Sequence, residues 1–198
     1  MIFKQSACRG VILQKRLKTT GLKQSAQKFF KHQGIKITDH GERYLGSVIG
    51  TKSFKKQYTK NKVEGWVKEL ELLSKYAQDD PQAAYSAFTK GLCSRWTHFQ
   101  RTVPDMSELF EPLENAIKDQ LLPALVRQEI SEAERQILAF TLRHGGLGLT
   151  DPQENAKTEY KHSTQITDKL TTKIYTQKLD LNYNPSDQLY ATHMKNRL

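Results

Sequence analysis

Large apolar residues recur through the middle of the chain at the spacing of a helix. Tyr85, Phe88, Leu92 and Trp96 stand three or four residues apart. At 3.6 residues per turn that spacing predicts one helix with a single buried face. Leu109, Leu113, Ile117, Leu121 and Leu125 repeat every four residues, with Glu108, Glu111, Glu114, Lys118 and Asp119 between them. This predicts a second helix, with Pro123 kinking its last turn or marking its end. Ser131 opens a third, because its hydroxyl can accept from the backbone N–H of Glu134, whose carboxylate three positions on completes a capping box. The apolar positions there are Ala133, Ile137, Leu138 and Phe140, and Arg143, His144, Gly145 and Gly146 supply a stop. These helices, between Pro81 and Thr150, are expected to form the main core. Tyr85, Phe88, Leu92, Leu113, Ile117, Leu121, Ile137 and Phe140 should share it.

Upstream the period changes. Ile35 and Ile37 alternate with Lys36 and Thr38, Asp39-His40-Gly41 reads as a turn, and Tyr44, Val48 and Ile49 mark a second strand with Gly46 inside it. A small hairpin is therefore expected near residues 35–49. Before it, Val11, Ile12 and Leu13 form a short apolar group in a basic stretch, and Ser25 to His32 suits a short helix. After it, Thr51 to Ala77 predicts a long helix with Ser53 as candidate N-cap. Its apolar stripe is Phe54, Tyr58, Val63, Trp66, Leu70, Leu73 and Ala77, and Lys52, Lys55, Lys56, Lys60, Lys62 and Lys68 occupy much of the rest. Downstream, Thr150-Asp151-Pro152 is a helix start. A thin stripe of Ala156, Tyr160, Ile166, Leu170 and Ile174 continues to about Leu179, followed by a polar tail expected to be loosely held. The fold class is mainly α with one small hairpin, divided as residues 1–50, 51–150 and 151–198.

Charge sharpens the picture because it is uneven. Of the net +10, residues 1–75 hold 17 Lys and Arg against 5 Asp and Glu, a balance of +12, and the remainder is slightly acidic. Such a gradient favours an anionic partner for the first third, most simply a nucleic-acid backbone. A lysine-rich solvated face, however, needs no ligand. Two cysteines, Cys8 and Cys93, are too few for a disulfide framework or a metal set, which points to a reducing compartment. No apolar run nears the roughly 20 residues that cross a bilayer, and the start of the chain makes a poor signal peptide. The expectation is a soluble intracellular protein with no membrane partner.

Candidate chemistry is sparse. Asp79 and Asp80 could suggest a metal pair, but two-metal sites draw carboxylates from separate elements, and capping the helix that starts at Pro81 accounts for both. Cys93 and His98 lack further ligands for zinc. His144 has no nucleophile near it in sequence, and Gly145, Gly146 and Gly148 follow a helix, where a phosphate-binding loop would follow a strand. Arg95, Trp96, Phe99 and Arg101 interleave cations with aromatics, as a single-strand binding surface does. Trp96 also completes the stripe begun at Tyr85, which makes it a core residue. Arg95 and Arg101 remain candidate phosphate contacts.

With these residues in view, the chain resembles the C-terminal portion of reverse transcriptases encoded by non-LTR retrotransposons. The matching segments are Lys18-Thr19, Gly41–Gly50 (GERYLGSVIG), Lys62–Trp66 (KVEGW), Pro81–Phe88 (PQAAYSAF), Arg101–Pro104 (RTVP), Pro112-Leu113, Glu134-Arg135 and His144–Pro152 (HGGLGLTDP). They cover roughly residues 15–155. The resemblance implies a palm remnant over residues 1–50, a primer-supporting hairpin at Tyr44, Leu45 and Gly46, and a helical thumb-like domain that holds template-primer duplex. A complete enzyme of that family carries its metal-binding aspartates upstream, on palm strands that this chain lacks, and Asp79 and Asp80 cannot replace them. The expectation is therefore a non-catalytic fragment of an RNA-directed DNA polymerase, with no catalytic residue and no cofactor of its own. Mg2+ is implied only for the complete enzyme. Its partners would be an RNA–DNA or DNA duplex and a missing palm-bearing segment, with Lys52, Lys55, Lys56, Lys60, Lys62, Lys68, Arg95 and Arg101 as nucleic-acid contacts. The alternative is a small helical protein-interaction module whose lysines only keep it soluble. An autonomous enzyme is disfavoured, because no nucleophile, base and metal set assembles in the sequence.

Overall fold

The computed structural model describes residues 11–13, 24, 28, 36–38 and 40–177. The chain is mainly helical, with a small antiparallel hairpin before the helices, and it divides into two compact units, Met1–Tyr58 and Thr59–Leu198. Apart from Lys28, the helix expected from Ser25 to His32 lies outside the described residues, as do Lys18-Thr19 and the tail beyond Gln177. No described helix is long and apolar enough to cross a membrane.

In the first unit, β1 (Val11–Leu13) pairs in parallel with β2 (Lys36–Thr38), Ile12 opposite Ile37. β3 (Gly41–Tyr44) and β4 (Ser47–Gly50) form the antiparallel hairpin, Tyr44 opposite Ser47. The hairpin thus spans 41–50, and the strand containing Ile37 belongs to the other sheet. Gly46 lies in the turn and not within a strand. Leu45 and Gly46 have φ of 46° and 80°, and positive φ at both central residues is the mark of the tight turn whose twist suits a two-residue hairpin. Next comes α1 (Lys52–Ala77). Thr51 caps it, its Oγ1 accepting from Phe54 N at 3.3 Å, while Ser53 already lies within the helix. A Cβ on Gly41 would sit 2.2 Å from the Phe54 ring. Phe54 packs there, with Tyr58 stacked 6.4 Å from it.

In the second unit, α1 buries Thr59, Val63, Trp66, Leu70, Ser74 and Ala77, a helical row of spacing 4, 3, 4, 4 and 3. Leu73, expected in that stripe, is half-buried. Then α2 (Pro81–Ala87), a π-helical turn (Phe88–Leu92) and α3 (Cys93–Thr102) follow one another without a break. Trp66 meets Trp96 and Phe99 edge-on, each at 6.0 Å between ring centroids, and stacks on Phe110 at 6.3 Å. Phe88 adds to the cluster, 5.7 Å from Trp96. These distances suit favourable aromatic pairing.

A 3-10 turn (Ser107–Phe110) leads to α4 (Glu111–Ala116), a second π-helical turn (Ile117–Leu121) and α5 (Leu122–Val126). Leu113, Ile117, Leu121 and Leu122 are fully buried, and Leu109 and Leu125 half-buried. A strict four-residue repeat drifts about 40° per step around an α-helix. The π turn, with its wider i→i+5 bonding, absorbs that drift and keeps both Ile117 and Leu121 inside. Pro123 follows directly, and the helix runs on to Val126 before Arg127 ends it at φ 59°.

α6 (Glu132–Ala139) has its capping box in full: Ser131 Oγ accepts from Glu134 N at 3.3 Å, and Ser131 N donates to Glu134 Oε2 at 2.8 Å. Its expected core face is nevertheless in water. Ile137 is 50% and Phe140 54% exposed, and Arg135 is the buried residue of this helix. The place expected for α6 is taken by the first half of α7 (Pro152–Thr176), which packs on α3, α4 and the 3-10 turn. Asp151 caps α7, accepting from Gln153 N at 2.6 Å and Glu154 N at 3.2 Å. In the second half of α7, Leu170 and Ile174 are largely exposed.

Candidate nucleic-acid interface

Positive charge is concentrated in the first three turns of α1. From Thr51 to Val63 there are five lysines and no carboxylate. Lys52, Lys56 and Lys60 are exposed, and Lys55 and Lys62 are half-buried. At 100° per residue these five fall within an arc of about 160° on one side of the helix. Thr59 and Val63, inside that arc, are buried, so the lysines flank the packed face and do not lie opposite it. The helix N-terminus adds partial positive charge to the same end. Lys68, also exposed, lies outside this arc among Glu64, Glu69 and Glu71.

The two arginines are engaged within the protein. Arg95 hydrogen-bonds Glu69 of α1 through Nη1, and Arg101 Nε donates to Glu159 Oε2 at 2.7 Å. Glu159 is buried on α7, so Arg101 compensates a carboxylate that water does not reach. Trp96 is 3% and Phe99 2% exposed. Neither ring can stack on a base, and the interleaved surface read from Arg95 to Arg101 is a core face with a charged edge. At the hairpin, Tyr44 is 53% and Leu45 80% exposed, and Gly46 after them is exposed too.

Other residues that invited chemical readings do structural work. Asp80 Oδ1 accepts from Ala83 N at 3.0 Å and caps α2 with Pro81 in the first turn, and Asp79 is exposed beside it. Cys93 donates to the Thr89 carbonyl, and burial pushes its thiol above the ordinary value, away from the reactive thiolate. The glycine-rich loop closes the end of α6. Gly146 N donates to Thr141 O at 3.1 Å, Gly148 N to Phe140 O at 2.7 Å, and Leu147 N and Leu149 N to Leu138 O at 3.1 and 3.2 Å. A Cβ on Gly146 would meet the Phe140 carbonyl oxygen at 2.1 Å, so only glycine fits. Among the described residues no three His, Cys, Asp or Glu gather as metal ligands would.

What the sequence pattern missed is a polar clamp. Arg135 forks onto Glu114, Nε to Oε1 at 2.6 Å and Nη2 to Oε2 at 2.7 Å, and its Nη1 donates to Leu149 O at 2.7 Å. Burial raises the Glu114 carboxyl while the guanidinium pulls it back. Tyr85 Oη donates to Leu147 O at 2.7 Å, and Gln100 Nε2 to Pro152 O at 2.7 Å. One available signal was Arg135 itself, a charge two residues from Ala133 and Ile137 in a helix too short to carry a full apolar stripe.

Compared with known proteins, the chain matches no protein-family model, no curated protein and no solved structure. The likeness to reverse transcriptases therefore stands on the sequence segments alone. Several of those segments hold the second unit together: Tyr85, Arg101, Arg135 and Leu149 supply its long-range polar ties or their acceptors.

Proposed function

We propose that this chain is a non-catalytic, reverse transcriptase-like polymerase fragment that holds nucleic-acid duplex through the first three turns of α1. One observation carries the reading: five lysines and no carboxylate between Thr51 and Val63, on one side of one helix. Lysine neutralises phosphate and releases condensed counterions, so such a surface binds duplex without regard to sequence. Arg95 and Arg101 contribute little beyond this, because each already serves a carboxylate of the protein. Lys68 adds little either, set as it is among glutamates. No polymerase chemistry is assigned to the chain, and Mg2+ belongs to the complete enzyme that the resemblance implies.

The test is a salt titration of DNA-duplex and RNA–DNA hybrid binding by the parent and by Lys55→Gln, Lys56→Gln, Lys60→Gln and Lys62→Gln combined. Each lost phosphate contact should flatten the salt dependence by about one unit of slope. Circular dichroism confirms that the variant is still helical. A folded quadruple variant with the parent's affinity and slope would make α1 an ordinary solvated helix.

A further inference from the structure

Two apolar surfaces of the second unit are left open, and they have opposite shapes. The first is a ledge. Arg135 faces the interior, and residues two positions to either side lie about 200° around the helix. Ala133 and Ile137 therefore point outward, with Phe140 continuing the row. Leu142, 70% exposed, extends it, and Arg143 and His144 stand at its end.

The second is a groove of about 480 Å³ between α1 and the start of α4. Val63, Val67, Leu109 and Pro112 supply its apolar lining. On the α1 wall, Lys60, Glu64, Lys68 and Glu71 balance one another along the helix. The opposite wall carries Glu108 and Glu111, both exposed, and neither is in an ion pair among the described residues. The groove is thus apolar within and negative along one edge. Arg143 at the end of the ledge likewise has no ion-pair partner among the described residues.

We propose that the ledge of one copy, Ile137, Phe140 and Leu142 with Arg143 beside them, docks in the Val63–Val67–Leu109 groove of a second copy, Arg143 facing Glu108 and Glu111. Exposed apolar patches of this kind mark interaction surfaces. A second copy supplies both the apolar projection and the cation that the acidic edge calls for. Because ledge and groove are different surfaces, the contact is head-to-tail, and it leaves a free ledge at one end and a free groove at the other. Assemblies larger than a dimer follow as concentration rises, unless the rotation closes a ring.

Sedimentation velocity on the nuclease-treated full chain over a wide concentration range tests this. The parent should grow in mass with concentration. Phe140→Glu, which spoils the ledge, and Val67→Glu, which spoils the groove, should each remain monomeric. Mixed in equal amounts they should give a 1:1 complex and nothing larger, since one intact ledge and one intact groove remain. Val67 is half-buried, so exposed charge swaps supply an independent arm. Arg143→Glu alone and Glu108→Lys with Glu111→Lys alone should be monomeric, and their mixture should associate. A parent that stays monomeric overturns the proposal. So does association that survives the groove variants but not Phe140→Glu, which would mean ledge on ledge, and so does a charge-swap mixture that fails to associate.

Discussion

α3 and α6 are helices of similar length, ten and eight residues, and both carry apolar residues at helical spacing. α3 buries Trp96 and Phe99 against Trp66, while α6 buries Arg135 and leaves Ile137 and the following Phe140 half in water. The difference lies in what faces each helix. α3 meets the aromatic side of α1 and the first half of α7. α6 meets Glu114 and the carbonyl of Leu149, which only a multi-donor cation can satisfy together. An apolar stripe reports which face could be buried, and the polar groups opposite decide which face is.

The largest expected effects come from reversing this at Arg135 and Phe99. Arg135→Ala should cost about 3–5 kcal/mol, because it removes the buried guanidinium and strands a half-buried carboxylate and the Leu149 carbonyl. Pairing Arg135→Leu with Glu114→Leu should recover much of that loss in urea denaturation. A double variant no better than the single would mean that the clamp acts through more than charge compensation. Phe99→Ala should likewise cost about 3–5 kcal/mol, against no more than about 0.5 kcal/mol for Phe140→Ala in the monomer. Equal midpoint shifts for the two would erase the contrast between the helices. A smaller loss than at Arg135 or Phe99 is expected where α6 starts: Ser131→Ala should cost about 1 kcal/mol by removing the cap.

The hydrogen bonds to Ser131 also hold Glu134 below the ordinary carboxylate range. A lowered folded value means that this contribution is complete above the unfolded value near 4.5 and fades as pH falls through the folded one. Glu134→Gln should remove that acid sensitivity, which a urea midpoint followed from neutral to acid pH would reveal.

Local chemistry was the most legible part of the sequence. Asp80, Ser131 and Asp151 cap the helices they precede, because each cap is settled within three or four residues. The buried row through Phe88, Leu113, Ile117 and Leu121 was legible for the same reason, since it follows a period. The hairpin's register was not. The Ile37 strand pairs with β1, some twenty-five residues earlier, and no local pattern between Ile35 and Ile49 says so. Nor was the exchange of α6 for α7 in the core, because it rests on contacts such as Arg135–Glu114 and Arg101–Glu159 that span tens of residues. For the candidate site, the lysines of α1 could be listed from sequence. That Arg95 and Arg101 are held by Glu69 and Glu159 could not, because both carboxylates lie far away along the chain.

The proposed duplex site along the first three turns of α1 can be located directly. Lysine acylation followed by mass spectrometry, with and without bound duplex, reads that location one side chain at a time. The account predicts that duplex protects Lys52, Lys56 and Lys60 most, with Lys55 and Lys62 beside them, and leaves exposed Lys75 and Lys90 as reactive as in the free protein. Protection spread evenly over all lysines, or centred on Lys75 and Lys90, would contradict it.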